Sequence, residues 1–257
     1  MWHVSGFVPR NRMGFGLTLY YGMGIRVRSS GCVRSIKVSE AATKKATFIG
    51  GVLADNARSQ ISLFKVPLRC EAATGLGCGV KAKPILQALA HQPAVAQAWL
   101  NRGGTLIAVL WRQGVVSDLR REHVRSILAE QGLSARELTG AAREGALREF
   151  SSGAGWYRGD AVDRLSAEEA AIIAARLVRR VTAKVPLSDG TVKALLAAFA
   201  EVCRHQLINR PLTSARLRRK LIANEILQAG RQHLHGVALM ALQEAAGLGH
   251  RPVKGEK

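Results

Sequence analysis

The sequence predicts an α+β protein in which a small sheet module precedes an all-helical carboxyl-terminal region. Two observations support this class. Between residues 61 and 140, short apolar runs alternate with amphipathic stretches and glycine-containing turns. Beyond that module the apolar residues recur with a helical period, for example at Ala170, Ile173 and Leu177.

The module begins with an apolar run at residues 63–70, which predicts a strand. A loop follows, and Gly75 and Gly77 permit the positive φ angles that a tight loop needs. Ile85 and Leu89 then share one face of a short amphipathic helix. Strand, loop and helix therefore follow one another at the start of the module.

The rest of the module predicts two strands, a helix and a last strand. Residues 95–100 and 105–111 are apolar runs separated by Asn-Arg-Gly-Gly, which is typical of a hairpin. A helix is predicted at 123–133 and a short strand at 133–138. The resulting order, β-α-β-β-α-β, is the ferredoxin-like plan, with both helices expected on one face of a four-stranded sheet.

Four short motifs stand in fixed register within this module. Gly75-Leu76-Gly77-Cys78 precedes the first helix, Pro93-Ala94-Val95 opens the second strand, Asn101 closes it, and Val109-Leu110-Trp111 ends the third. In these motifs the stretch at about 61–140 resembles the heavy-metal-associated domain of copper chaperones, mercury-binding proteins and metal-transporting ATPases. That family has Gly-Met-x-Cys-x-x-Cys, Pro-Gly-Val, Asn and Val-x-Tyr at the corresponding places. The resemblance implies a ferredoxin-like fold and a soft metal ion such as Cu(I), held at the loop.

The sequence departs from this family at the metal loop. Lys81 stands where the family has its second cysteine, so the loop carries one thiol, that of Cys78. At the amino terminus of a helix this thiol should have a lowered pKa. It is a metal ligand, a reactive cysteine or a relic of a lost site. Cys70 is the second candidate ligand, provided that its side chain faces the loop; otherwise it is a small buried apolar residue. Pro84 favours a later start of the helix than in the family.

Composition limits the remaining possibilities. The formal net charge is +20, and the excess lies mainly near the two ends, which permits contact with nucleic acid but is also typical of solvated arginine-rich tails. No apolar run approaches the roughly 20 residues of a membrane span. Four cysteines without a Cys-x-x-Cys pair indicate a reducing, cytoplasmic compartment. No catalytic motif is present, so we do not expect an enzyme.

The flanking regions differ from the module. Residues 1–60 are basic, glycine-rich and aperiodic, which predicts a disordered or irregular extension. Residues 141–246 should be helical, with a capping box at Ser166–Glu169 and one helical stretch from about 214 to 246. Residues 247–257 should form a disordered tail.

Three functions are compatible with these observations. The leading prediction is a soluble metal-binding or metal-trafficking accessory protein, with Cys78 as ligand and the carboxyl-terminal helices docking a protein partner. The alternative is a module that binds no metal and acts as a protein-interaction or regulatory domain. A weaker alternative uses the basic ends to bind nucleic acid, although the sheet lacks the aromatic stacking motif of RNA-binding sheets.

Overall fold

One antiparallel sheet organises the computed structural model, which describes residues 58–209 and 214–256. Its five strands lie in the spatial order β4-β1-β3-β2-β5. They are β1 (Ile61–Lys65), β2 (Val95–Asn101), β3 (Leu106–Trp111), β4 (Arg136–Glu137) and β5 (Trp156–Tyr157). All four neighbouring pairs are antiparallel.

Helices make up most of the remaining described chain, which confirms the α+β class with a mainly helical carboxyl-terminal region. A single 3₁₀ turn, 159–162, directly precedes the fourth helix. In the described residues the seven α-helices are α1 (Gly79–Ala90), α2 (Ser117–Glu130), α3 (Gly140–Ser151), α4 (Asp163–Thr182), α5 (Asp189–Ile208), α6 (Ala215–Gly230) and α7 (Gly236–Gly247).

The two faces of the sheet contribute to two different apolar clusters. Alternate strand residues such as Phe64, Ile107 and Val109 pack into the larger cluster, which also contains residues of α1, α2 and α4–α7. Residues of the opposite parity, including Leu63 and Trp99, pack into a smaller cluster. This alternation follows from the two-residue period of a strand. The helix α3 covers the second face, so the sheet is buried on both sides.

The hairpin between β2 and β3 depends on one buried amide. The Oδ1 atom of Asn101 accepts hydrogen bonds from the backbone N–H groups of Thr105 and Leu106 at 2.8 and 3.0 Å. The tight turn also requires Gly104, whose φ is +65°. Asn101 thus closes β2, as the sequence predicted.

The outer edge of β1 is occupied along its length. Phe64 and Lys65 pair with β4. Next to them, the Leu138 N–H donates to the carbonyl oxygen of Leu63 at 2.8 Å. The Arg143 guanidinium donates to the carbonyl oxygen of Ile61 at 3.1 Å. A two-residue strand, a loop amide and a side chain together close this edge.

Several predicted boundaries are wrong. The first strand ends at Lys65 instead of residue 70, and α2 begins at Ser117 instead of residue 123. The predicted capping box is also wrong, because Ser166 lies inside α4 and is buried. The α4 helix starts earlier, at Asp163, whose carboxylate accepts a hydrogen bond from Lys83 of α1 at 2.7 Å.

The predicted helical stretch at 214–246 is two helices in the structure. Gly230 ends α6, and the chain turns back through residues 231–235 to Gly236, whose φ is +53°. A Cβ atom on Gly230 would overlap the Leu242 side chain of α7. The glycine therefore permits the close approach of the two helices.

Residues 248–256, which we call the strap, pack along α4, although we expected a disordered tail. The Arg180 guanidinium donates to the carbonyl oxygens of Gly249 and Arg251 at 2.5 and 2.8 Å. It also donates to both carboxylate oxygens of Glu256, at 2.9 and 2.6 Å. The extension expected at 1–60 lies outside the described residues up to position 57. In the described part of the chain, no helix has the length and apolar character needed to span a membrane.

Candidate functional site

The two candidate cysteines lie on a short antiparallel loop that leads into α1. The Cys70 N–H donates to the carbonyl oxygen of Leu76 at 2.8 Å, and the Cys78 N–H donates to that of Leu68 at 2.7 Å. This pairing places Cys70 and Cys78 diagonally across the two arms of the loop, where alternating side chains share one side. Both cysteines line the same cavity.

Glycines hold this loop against the β2–β3 hairpin. A Cβ atom on Gly77 would lie 2.9 Å from the Cα atom of Gly104, so the two backbones touch. The Gly77 N–H donates to the carbonyl oxygen of Arg102 at 2.6 Å. Gly75, with a φ of +79°, makes the tip of the loop. The two predicted loop glycines thus have different structural roles, one in close packing and one in a left-handed backbone conformation.

The helix α1 begins directly after the second cysteine. Cys78 is its N-cap residue, and Gly79 is its first residue, so Pro84 does not delay the start of the helix. A Cβ atom on Gly79 would lie 2.9 Å from the carbonyl oxygen of Val162 and closer still to the Ser166 hydroxyl. The first turn of α1 is therefore pressed against the start of α4.

The cavity behind this turn has a volume of about 120 Å³. Its walls come from the cysteine loop, the first turn of α1, the helices α4, α5 and α6, and the strap. The polar groups at its inner end are the thiols of Cys70 and Cys78 and the carboxyl group of Glu169. We call this cavity the thiol pocket.

Both thiols are protonated at neutral pH. Burial raises the pKa of the Cys70 thiol to about 12, and the nearby Glu169 carboxylate adds to this effect. Burial also raises the pKa of the Cys78 thiol, with a second contribution from Glu169. The Lys81 N–H and the charges of Lys81 and Arg218 oppose this shift in the pKa of Cys78 without reversing it. Desolvation thus outweighs the helix terminus, contrary to our expectation for Cys78.

Glu169 was not predicted as a site residue. It lies on α4, is only 5% exposed, and interacts with the Cys70 thiol. Burial raises the pKa of its carboxyl group. Its Oε2 atom has no hydrogen-bond partner among the described residues. The sequence does place this acid next to the apolar stripe of Ala170 and Ile173, which is a sign of a buried carboxyl group. The apparent capping box instead predicted that Glu169 binds a backbone N–H at the start of a helix.

Lys81 stands where heavy-metal-associated domains have their second cysteine, but its side chain does not enter the inner end of the pocket. Its side chain is about half exposed and lies 3.8 Å from the carboxylate of Glu71. Glu71 also pairs with Arg251 of the strap. Lys81 thus belongs to the charged entrance of the pocket, and Cys70 supplies the second thiol.

The strap forms the wall opposite the cysteine loop. His250 and Arg251 line the pocket there. The Arg176 guanidinium connects the two walls, because it donates to the carbonyl oxygen of Ala72 at 2.8 Å and to that of His250 at 2.5 Å. The pKa of His250 is lowered to about 4, first by burial and then by the surrounding arginines, so this imidazole is neutral at pH 7.

The available donors limit the metal chemistry of this pocket. In the parts of the chain that the structure describes, no three His, Cys, Asp or Glu side chains are grouped so that they could hold a metal ion. The pocket instead offers two thiols, which suit a soft monovalent ion that accepts two sulfur ligands. The third cysteine of the described chain, Cys203, is buried in α5 and does not line the pocket.

Comparisons with known proteins give no match: no family model, no curated protein and no solved structure is similar to this chain.

Proposed function

We propose that this chain is a metal-binding accessory protein that holds a soft monovalent ion, such as Cu(I), between the thiolates of Cys78 and Cys70. The observation that carries the proposal is the position of both thiols on one pocket. The strand order β4-β1-β3-β2 and the element order of residues 61–137 further support a ferredoxin-like module. The free thiols of Cys70, Cys78 and Cys203 favour a reducing, cytoplasmic location.

Loading the pocket requires the loss of two protons. Because the pKa values of both thiols are raised, each Cu–S bond replaces an S–H bond at neutral pH. Two thiolates around one monovalent cation leave one negative charge in the pocket. The positive charges of Lys81 and Arg218, which already act on Cys78, compensate for it.

Anaerobic competition for Cu(I) with the coloured chelator bicinchoninate tests this proposal. All proteins carry Cys32→Ser, because Cys32 lies outside the described residues. Cys70→Ser and Cys78→Ser should each weaken binding by orders of magnitude, since one thiolate cannot replace two. The matched control is Cys203→Ala, which removes a buried thiol elsewhere and should leave the affinity unchanged.

The pH dependence gives a second readout. With two protons released, the affinity should increase by about 100-fold between pH 7 and pH 8, and each single-cysteine variant should lose about half of this dependence on a logarithmic scale. Binding that is equal in wild type and both serine variants would refute the two-thiolate site. If wild type binds no Cu(I), the metal function itself is wrong.

A second candidate function is a protein-interaction domain that binds no metal. The apolar side chains of Val237 and Met240 favour it, since they are 64% and 59% exposed one turn apart on α7. The same titration separates the two functions. An interaction domain should show no tight Cu(I) binding, and its activity should not depend on Cys70 or Cys78.

A further inference from the structure

Five cationic side chains surround the thiol pocket, and they come from four separate elements. The cysteine loop supplies one, α1 one, α6 two and the strap one. We call this set the cationic rim: Arg69, Lys81, Arg218, Arg219 and Arg251. The acidic residues of the lining are Glu71 and the buried Glu169.

The rim has more positive charge than its own acids neutralise. Glu71 is shared between Lys81 and Arg251. Within the described residues, Arg69 and Arg219 form no ion pair, and both are exposed. Glu169 lies at the buried inner end, so Glu71 is the exposed acid of the lining beside the rim. The entrance is therefore positively charged, although the proposed cargo is a cation.

A free metal cation would be repelled from such an entrance, whereas an anionic complex of the same metal would be attracted. The start of α6 strengthens this contrast. Arg218 and Arg219 lie in its first turns, where the backbone N–H groups already produce a positive potential. The two guanidinium groups and the helix terminus repel one another electrostatically, and an anion at the entrance would offset this repulsion.

We propose that the cationic rim recognises the negatively charged ligands of a donor complex, so that the metal arrives as an anionic Cu(I) complex and not as a free cation. This inference rests on the proposed metal function and specifies the class of donor. The chemistry is a ligand exchange without oxidation or reduction. Two Cu–S bonds form, the bonds from copper to the donor ligands break, two thiol protons pass to solvent, and the free donor ligands leave past the rim.

The rate of transfer from two donors that share one chelating framework tests the rim. Bicinchoninate forms an anionic bis-complex with Cu(I), whereas biquinoline, which lacks its carboxylates, forms a cationic one. Transfer is followed by loss of the colour of each complex, anaerobically, in one buffer with added ethanol. The test protein carries Arg69→Gln and Arg219→Gln. The control carries Arg125→Gln and Arg148→Gln, which remove the same charge from exposed positions away from the pocket.

From the anionic donor, the rim variant should accept copper about tenfold more slowly than wild type and the control, at the lower end of known electrostatic steering effects. From the cationic donor, it should be as fast as wild type or faster. The slower rate should vanish in high salt, where screening acts within a few ångströms.

Equal slowing with both donors, or no difference between the rim variant and the control, would overturn the rim inference and leave the metal site standing. No transfer to wild type from either donor would overturn both proposals. Melting temperatures of the variants should match that of wild type, because the substituted side chains are exposed.

Discussion

Replacing Glu256 with glutamine should release the strap from α4 and open the thiol pocket. The Glu256 carboxylate accepts two hydrogen bonds from Arg180 and a third from the Val253 N–H at 3.0 Å. Glutamine keeps the shape of this side chain but removes its negative charge. The buried Arg180 would then lose its anionic partner.

The pKa of Glu256 gives the magnitude. The hydrogen bonds from Arg180 are the main cause that lowers this pKa from its ordinary 4.5 to about 2. At about 1.36 kcal/mol per pKa unit, the ionised carboxylate stabilises the folded state by about 3.4 kcal/mol at most. Screening by solvent at this surface reduces the contribution to roughly 1.5 kcal/mol. Since about 1.4 kcal/mol corresponds to a factor of ten, the open strap should be about tenfold more populated.

Alkylation of Cys70 measures this opening. Cys70 is 8% exposed, and the strap forms one wall of its pocket, so reagent should reach it mainly when the strap is displaced. In a Cys32→Ser background, Glu256→Gln should accelerate maleimide labelling of Cys70 about tenfold, as followed by peptide mass spectrometry. Glu244→Gln is the matched control, because Glu244 is exposed on α7 and forms a surface ion pair with Lys184.

The pH dependence provides the refuting result. A carboxylate with a lowered pKa stabilises the folded protein above about pH 4.5, and this stabilisation is lost as the pH falls towards 2. The difference in unfolding free energy between wild type and Glu256→Gln should therefore shrink over that interval in urea titrations. A difference that is independent of pH, or labelling as slow as in the control, would show that Glu256 does not hold the strap.

Three further predictions concern the loop and the core. Gly79→Ala should destabilise the protein by about 1–3 kcal/mol in urea unfolding, because its Cβ would press on Ser166; a Ser166→Ala background should recover part of the loss. Lys81→Cys should raise Cu(I) affinity in the bicinchoninate assay, because it adds a thiol one helical turn from Cys78, and Cys78→Ser should remove the gain. Leu89→Ala should lower the unfolding free energy by about 2–5 kcal/mol, as Leu89 is fully buried; a loss under 1 kcal/mol would contradict the assigned core.

The β2–β3 hairpin and the inward face of α1 could be predicted from the sequence, because each depends on residues that are close together along the chain. Asn101 closes β2, and Trp111 ends β3, because a hairpin is encoded within one short stretch. The inward residues of α1, such as Ile85 and Leu89, follow directly from the helical period. These contacts need no information from distant parts of the chain.

The pocket could be predicted only in part. Cys78 and Cys70 were found through the loop, but the other walls come from α4, α5, α6 and the strap, up to about 180 residues away. Arg176 and Arg180 of α4 are buried through contacts with the cysteine loop, α7 and the strap, which are distant in sequence and leave no local pattern. Glu169 matched a capping box because the pattern is the same at a helix start and in a helix interior. Periodicity assigns a side chain to a face, and the tertiary structure decides what covers that face.

The closed outer edge of β1 also affects how the protein behaves at high concentration. A strand from a second molecule could add there only by taking backbone acceptors that are free, but those of Ile61 and Leu63 are already bound by Arg143 and Leu138. Beside them, β4 is too short to act as a template for a long added strand. Loss of the Arg143 side chain would free one acceptor next to an apolar strand and should favour aggregation through edge-to-edge pairing of molecules.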